Sequence, residues 1–65
     1  MKTILISDKN YNDLTYPKDS KIEEVLKAKN LYFGVAIRGL SNIPDTCIEV
    51  YEDGKLLEKI EIDLT

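Results

Sequence analysis

The chain has no histidine and no tryptophan, and its 65 residues include one cysteine, two prolines and three glycines. Each shortage removes a class of function. Without histidine there is no imidazole base, no Ser-His or Cys-His pair and none of the commonest metal ligand. Cys47 therefore has no histidine partner, and on an expected strand it reads as a packing thiol or an exposed strand residue. A lone cysteine excludes an internal disulfide framework and fits a reducing compartment. Gly34, Gly39 and Gly54 lie too far apart for a phosphate-cradling loop. No apolar run approaches the ~18 residues of a membrane span. The start, MKTILIS, falls short of a secretory apolar region. The expectation is a cytoplasmic protein without a membrane partner.

What is present is ordinary for a folded chain: 43% hydrophobic and 32% charged residues argue against disorder. The length fits one domain, residues 1–65, which buries only ~60% of its unfolded surface. The net charge of −3 is unevenly placed. Residues 1–44 carry seven basic and five acidic side chains; residues 45–65 carry two basic and seven acidic ones. Acidic charge so concentrated disfavours direct nucleic-acid binding, which needs Lys and Arg on phosphates.

The acidic half reads as a β-hairpin, Thr46 to Leu64, turning at Glu52-Asp53-Gly54. A two-residue Asp53-Gly54 loop would set Glu49 against Glu58 and split the apolar set between faces. A three-residue loop, with Gly54 left-handed as a G1 bulge, avoids both. It places Val50 opposite Leu56 and Ile48 opposite Glu58. Ile48, Val50, Leu56, Ile60, Ile62 and Leu64 then share the inner face. Cys47, Glu49, Tyr51, Leu57, Lys59, Glu61 and Asp63 share the outer one. Glu58 is a misfit on the inner face that belongs at an edge or a further bulge.

Ahead of the hairpin, Lys2–Ser7 reads as a strand with Ile4 and Ile6 inward. Asp8 to Asp13 reads as a polar loop, and Leu14-Thr15-Tyr16 as a short returning strand ended by Pro17. Ser20 opens the one expected helix with a capping box to Glu23. Ile22, Val25 and Leu26 form its apolar stripe, Glu23 pairs with Lys27, and Asn30 caps the end in the left-handed region. Leu31–Leu40 reads as a strand with Phe33, Val35 and Ile37 on one face. Small residues at Gly34 and Ala36 point to a close approach there. Gly39 to Asp45 connects to the hairpin.

The expected architecture is a small two-layer α+β domain, one helix on a mixed or antiparallel sheet of three to five strands. The helix entry Pro17-Lys18-Asp19-Ser20, followed by Ile22-Glu23-Glu24-Val25 and Ala28-Lys29, resembles that of ubiquitin-like β-grasp domains. The resemblance implies a β-grasp-like topology and, for function, a carrier or enzyme-subunit domain. The final Ile62-Asp63-Leu64-Thr65 lacks the diglycine through which carrier members conjugate.

Little in the chain invites chemistry. Asp8-Lys9-Asn10-Tyr11-Asn12 begins like a calcium loop, but its sixth position is Asp13 where glycine is needed and its twelfth is Asp19. Glu23 and Glu24 are helix neighbours pointing apart, so they form no acid–base pair. The expectation is a non-enzymatic, cofactor-free, acidic protein-binding module, an adaptor or inhibitor of an intracellular protein. A phage-type inhibitor of a host nucleic-acid enzyme is one form, and a structural homodimer is the alternative. The expected partner-binding residues are Glu49, Tyr51, Leu57 and Glu61, because tyrosine, an apolar neighbour and rim charges are common at interfaces.

Overall fold

The computed structural model of the protein describes residues 1–15 and 21–62. Its elements run β1 (Lys2–Ser7), α1 (Asp8–Thr15), α2 (Lys21–Ala28), β2 (Ala36–Leu40), β3 (Cys47–Glu52) and β4 (Lys55–Glu61). The strands form one mixed sheet in the order β2-β1-β3-β4. β1 pairs in parallel with β2 and antiparallel with β3, and β3 pairs antiparallel with β4. The α+β class and the C-terminal hairpin agree with the sequence reading.

One face of the sheet holds the core. Ile4 and Ile6 of β1, Ile48 and Val50 of β3, and Ile60 and Ile62 meet Ile22 and Leu26 of α2, with Leu31 beside them. Leu14 of α1 packs against the same cluster, so both helices lie on this inner face. Period-two alternation sends the intervening residues to the other side.

The region before α2 departs from expectation: Asp8 to Thr15 is helix, where a polar loop and a strand were expected. Ser7 makes it one. Its Oγ accepts a hydrogen bond from the Asn10 amide at 3.1 Å, the geometry of a helix N-cap serving its third residue. Asp8 in the first turn suits the helix dipole. The buried Asn10 side chain donates to the Asp45 carbonyl at 2.8 Å and ties α1 to the β2–β3 connection. A helix also spreads Asp8 and Asn10 about its axis, so the alternating oxygens of a calcium loop do not converge. The strand that a β-grasp order sets before its helix is replaced by α1, and the helices join two parallel strands. Tyr16, Pro17 and the Ser20 cap lie outside the described residues.

The apolar stripe of α2 is as expected: Ile22 and Leu26 are buried, and Lys27 Nζ lies 3.7 Å from Glu23 Oε2. Its end is a Schellman motif. Asn30 has φ 59°, its amide donates to Lys27 O at 3.1 Å, and the Leu31 amide donates to Leu26 O at 2.8 Å. Leu31 and Leu26 are both buried in the core, the apolar contact that accompanies this motif. The following strand is shorter than expected. Residues 32–35 bend, Gly34 has φ 74°, and Phe33 is 77% exposed. The close approach falls at Gly39, where an added Cβ would stand 2.7 Å from Tyr11 Cβ; Gly34 has open space around it.

The hairpin turn is also corrected. Asp53 (φ 51°) and Gly54 (φ 83°) are the two central residues, flanked by the pair Glu52↔Lys55. Positive φ at both is the requirement of a type I′ turn. Tyr51 pairs with Leu56 but Val50 pairs with Glu58, so Leu57 is an extra residue in β4. The bulge restores the parity that the three-residue loop was meant to supply. Ile48 faces Ile60, and Glu49 faces Lys59. Leu56, expected in the core, is 53% exposed opposite Tyr51.

Candidate binding surface

The second face of the sheet is built by register alone. Thr3 and Leu5 of β1 align with Ala36 and Arg38 of β2 on one side and with Tyr51 and Glu49 of β3 on the other. Leu56, Lys59 and Glu61 of β4 extend the same rows. Among the described residues no helix packs on this face. Leu5, Tyr51 and Ala36 are half-buried, and Leu40 and Leu56 are exposed.

Of the four residues singled out by sequence, Glu49, Tyr51 and Glu61 share this outer face. Tyr51 donates its hydroxyl to Glu49 Oε1 at 2.9 Å. That bond, partial desolvation and the carboxylate's charge all hold the Tyr51 phenol above its ordinary pKa. Glu61 is exposed opposite Cys47. Leu57 sits at the bulge, 58% exposed, and Leu56 takes the place beside Tyr51 expected for it. Sequence reasoning missed Leu56, Leu5, Arg38 and Leu40 because the first depends on the bulge and the others on which strands are neighbours.

The face is not acidic. Lys59 lies across from Glu49, and Arg38 stands on the same face, so the two cations match Glu49 and Glu61 in number. Cys47 shares the outer-face parity but is buried, where its amide donates to Pro44 O at 3.0 Å. Ile43 is buried nearby in sequence, also outside the main core cluster.

A second cluster follows α2. The Tyr32 hydroxyl donates to Glu23 Oε1 at 2.9 Å, which with burial and the Glu23 charge raises its pKa. Lys27 Nζ lies 5.1 Å from the Tyr32 ring centre, and the Tyr32 and Phe33 rings meet edge to face at 4.9 Å. These contacts lie at the bend before β2. Among the described residues no three or more Cys, Asp or Glu side chains are grouped to hold a metal ion. No described helix is long and apolar enough to cross a membrane.

No family model matches the chain, and neither curated proteins nor solved structures yield a match.

Proposed function

We propose that the chain is a non-enzymatic protein-binding module that docks through the outer face of its sheet. One observation carries the reading: both helices occupy the same side, leaving Tyr51 and Leu56 paired on a face without a covering layer among the described residues. Tyrosine beside exposed leucine, ringed by charges of both signs, is the composition of a protein interface. Interleaved Lys59 and Arg38 make a protein surface a better match than the phosphate-binding groove of a nucleic-acid enzyme. An inhibitor acting there would need contacts other than a run of carboxylates. The buried free thiol of Cys47 supports a cytoplasmic setting.

The same mixed charges are self-complementary, which supports a second reading, an isologous homodimer across this face. A photo-crosslinking residue in place of Leu56, compared with one in place of the exposed Glu24 of α2, separates the readings. A binding module gives a discrete hetero-adduct at Leu56 and none at Glu24. Self-adducts alone assign the face to a dimer, and no adduct at Leu56 removes the face as an interface.

A further inference from the structure

The two edges of the sheet are unlike. β4 carries the Leu57 bulge and four charged side chains in seven residues, devices that discourage a further strand. β2 is the opposite edge, with no bulge, no proline and one charge, Arg38. Its backbone bonds β1 on one side; among the described residues nothing pairs with the other.

Beside that free edge the inner layer is open. Tyr11 and Leu14 of α1, with Tyr32 and Ile37, line a cleft of about 320 Å³. Gly39 allows the Tyr11 side of α1 to lie against β2. A strand added to β2 would alternate its side chains between this cleft and the outer face. The residue across from Arg38 points outward; of its two neighbours, the one across from Ile37 points over this cleft, and the one across from Gly39 over an adjoining cleft of about 650 Å³ that Asp8, Tyr11 and Asn12 also line.

We infer that the free edge of β2 accepts an extended peptide as a fifth strand, with an acidic side chain opposite Arg38 and apolar side chains over the cleft. Backbone bonding supplies the attachment and the alternate pockets supply the choice, the mode of strand addition. Arg38 is exposed and has no ion pair among the described residues, so it offers the charge to be matched. A second copy fits less well. Antiparallel self-pairing centred on Arg38 opposes that cation to itself, and shifting by two residues shortens an already short ladder. The peptide edge shares Arg38 with the docking face but neither Tyr51 nor Leu56, so shifts at β2 and crosslinks at Leu56 can fail independently.

The test is an amide NMR titration with the blocked peptide acetyl-STVEVTS-amide. Its comparators are the same peptide with lysine for glutamate, and one with prolines for both valines. The expected result is saturating shifts at Ala36–Leu40 and at Tyr11 and Leu14, with β4 unmoved. The lysine peptide should bind roughly fivefold more weakly, as a charge swap in a cross-strand pair implies, and the proline peptide not at all. Arg38→Glu should reverse the order of the first two, and Arg38→Ala should equalise them. No saturation up to about 1 mM, shifts confined to another surface, or an order indifferent to Arg38→Glu would each overturn the proposal. So would a dimeric mass with β2 amides already protected in the free protein.

Discussion

Gly39 lies directly beneath Tyr11: a Cβ on the glycine would come within 2.7 Å of the tyrosine's own Cβ, and within 3.2 Å of Asp8 Oδ1. The contact is with the root of a side chain rather than its flexible end. A methyl group there must push α1 from the sheet. Gly39→Ala should therefore destabilise the domain by about 1–3 kcal/mol in urea denaturation. Tyr11→Ala should not rescue it, because alanine keeps the offending Cβ. A rescue would show that the ring alone sets the spacing.

Asn10 makes the companion contact. Asn10→Ala removes its bond to the Asp45 carbonyl and leaves a part-buried acceptor without its partner, a cost of about 1–3 kcal/mol. Ser7→Ala removes the helix cap and should cost about 1 kcal/mol. Hydrogen exchange should locate both losses at α1, with β3 and β4 protected. Uniform loss of protection would mean that α1 does not open as a unit.

These contacts also explain which parts of the fold were legible in the sequence. β1, α2 and the hairpin announce themselves through alternation, a stripe and Asp-Gly. In α1, Asn10, Asn12, Asp13 and Thr15 are poor helix formers, and Tyr11 and Leu14 are too few for a helical period. The helix rests on a cap, a tether and a glycine far along the chain. The single signal was Ser7 standing three residues before Asn10. In Leu31–Val35 the apolar alternation suggested a strand, but the left-handed Asn30 and Gly34 turn the chain there. The outer face was half legible. Alternation put Glu49, Tyr51 and Glu61 on one side, while Arg38 and Leu5 joined them only through strand order.

The turn type gives a local test. With Asp53 and Gly54 both at positive φ, Gly54→Ala and Asp53→Ala should each cost about 1 kcal/mol or more. Asp53→Asn should be close to neutral, since the preference for Asn-Gly in type I′ turns is set against the charge lost from its exposed 3.1 Å contact with the Met1 ammonium. In a three-residue loop only Gly54 would be sensitive. Chemical denaturation of the three variants decides it.

The tyrosines carry a pH prediction. Hydrogen bonding to Glu49 and to Glu23 raises Tyr51 and Tyr32 above the ordinary value near 10. The folded chain thus holds these protons more tightly than the unfolded one. That stabilisation is complete below about pH 10 and is lost as pH climbs through the raised folded values. Absorbance titration should show Tyr32 and Tyr51 ionising late, and Glu49→Gln should bring Tyr51 down. An unchanged titration would mean that the Tyr51–Glu49 bond does not persist in solution.

The last prediction concerns the extra residue of β4. A regular ladder from the Asp53-Gly54 turn would put Glu58 against Glu49 and expel Ile60 from the inner face. One residue must therefore be absorbed somewhere, and both a longer loop and a bulge satisfy the core. Sequence could not choose between them, because each returns Ile60 and Ile62 to the side of Ile48 and Val50. The structure absorbs it at Leu57, which makes deletion informative. Removing Leu57 leaves Leu56 opposite Tyr51 and Glu58 opposite Val50, so the core register survives. Removing Glu58 instead brings Leu57 opposite Val50 and keeps Lys59 opposite Glu49, exchanging a misplaced charge for an apolar side chain. Both deletion variants should fold with the Ile48–Ile60 cross-strand contact intact in NOE spectra, and the one lacking Glu58 should be the more stable. With the extra residue in the loop, either deletion would flip Ile60 outward and the fold would collapse.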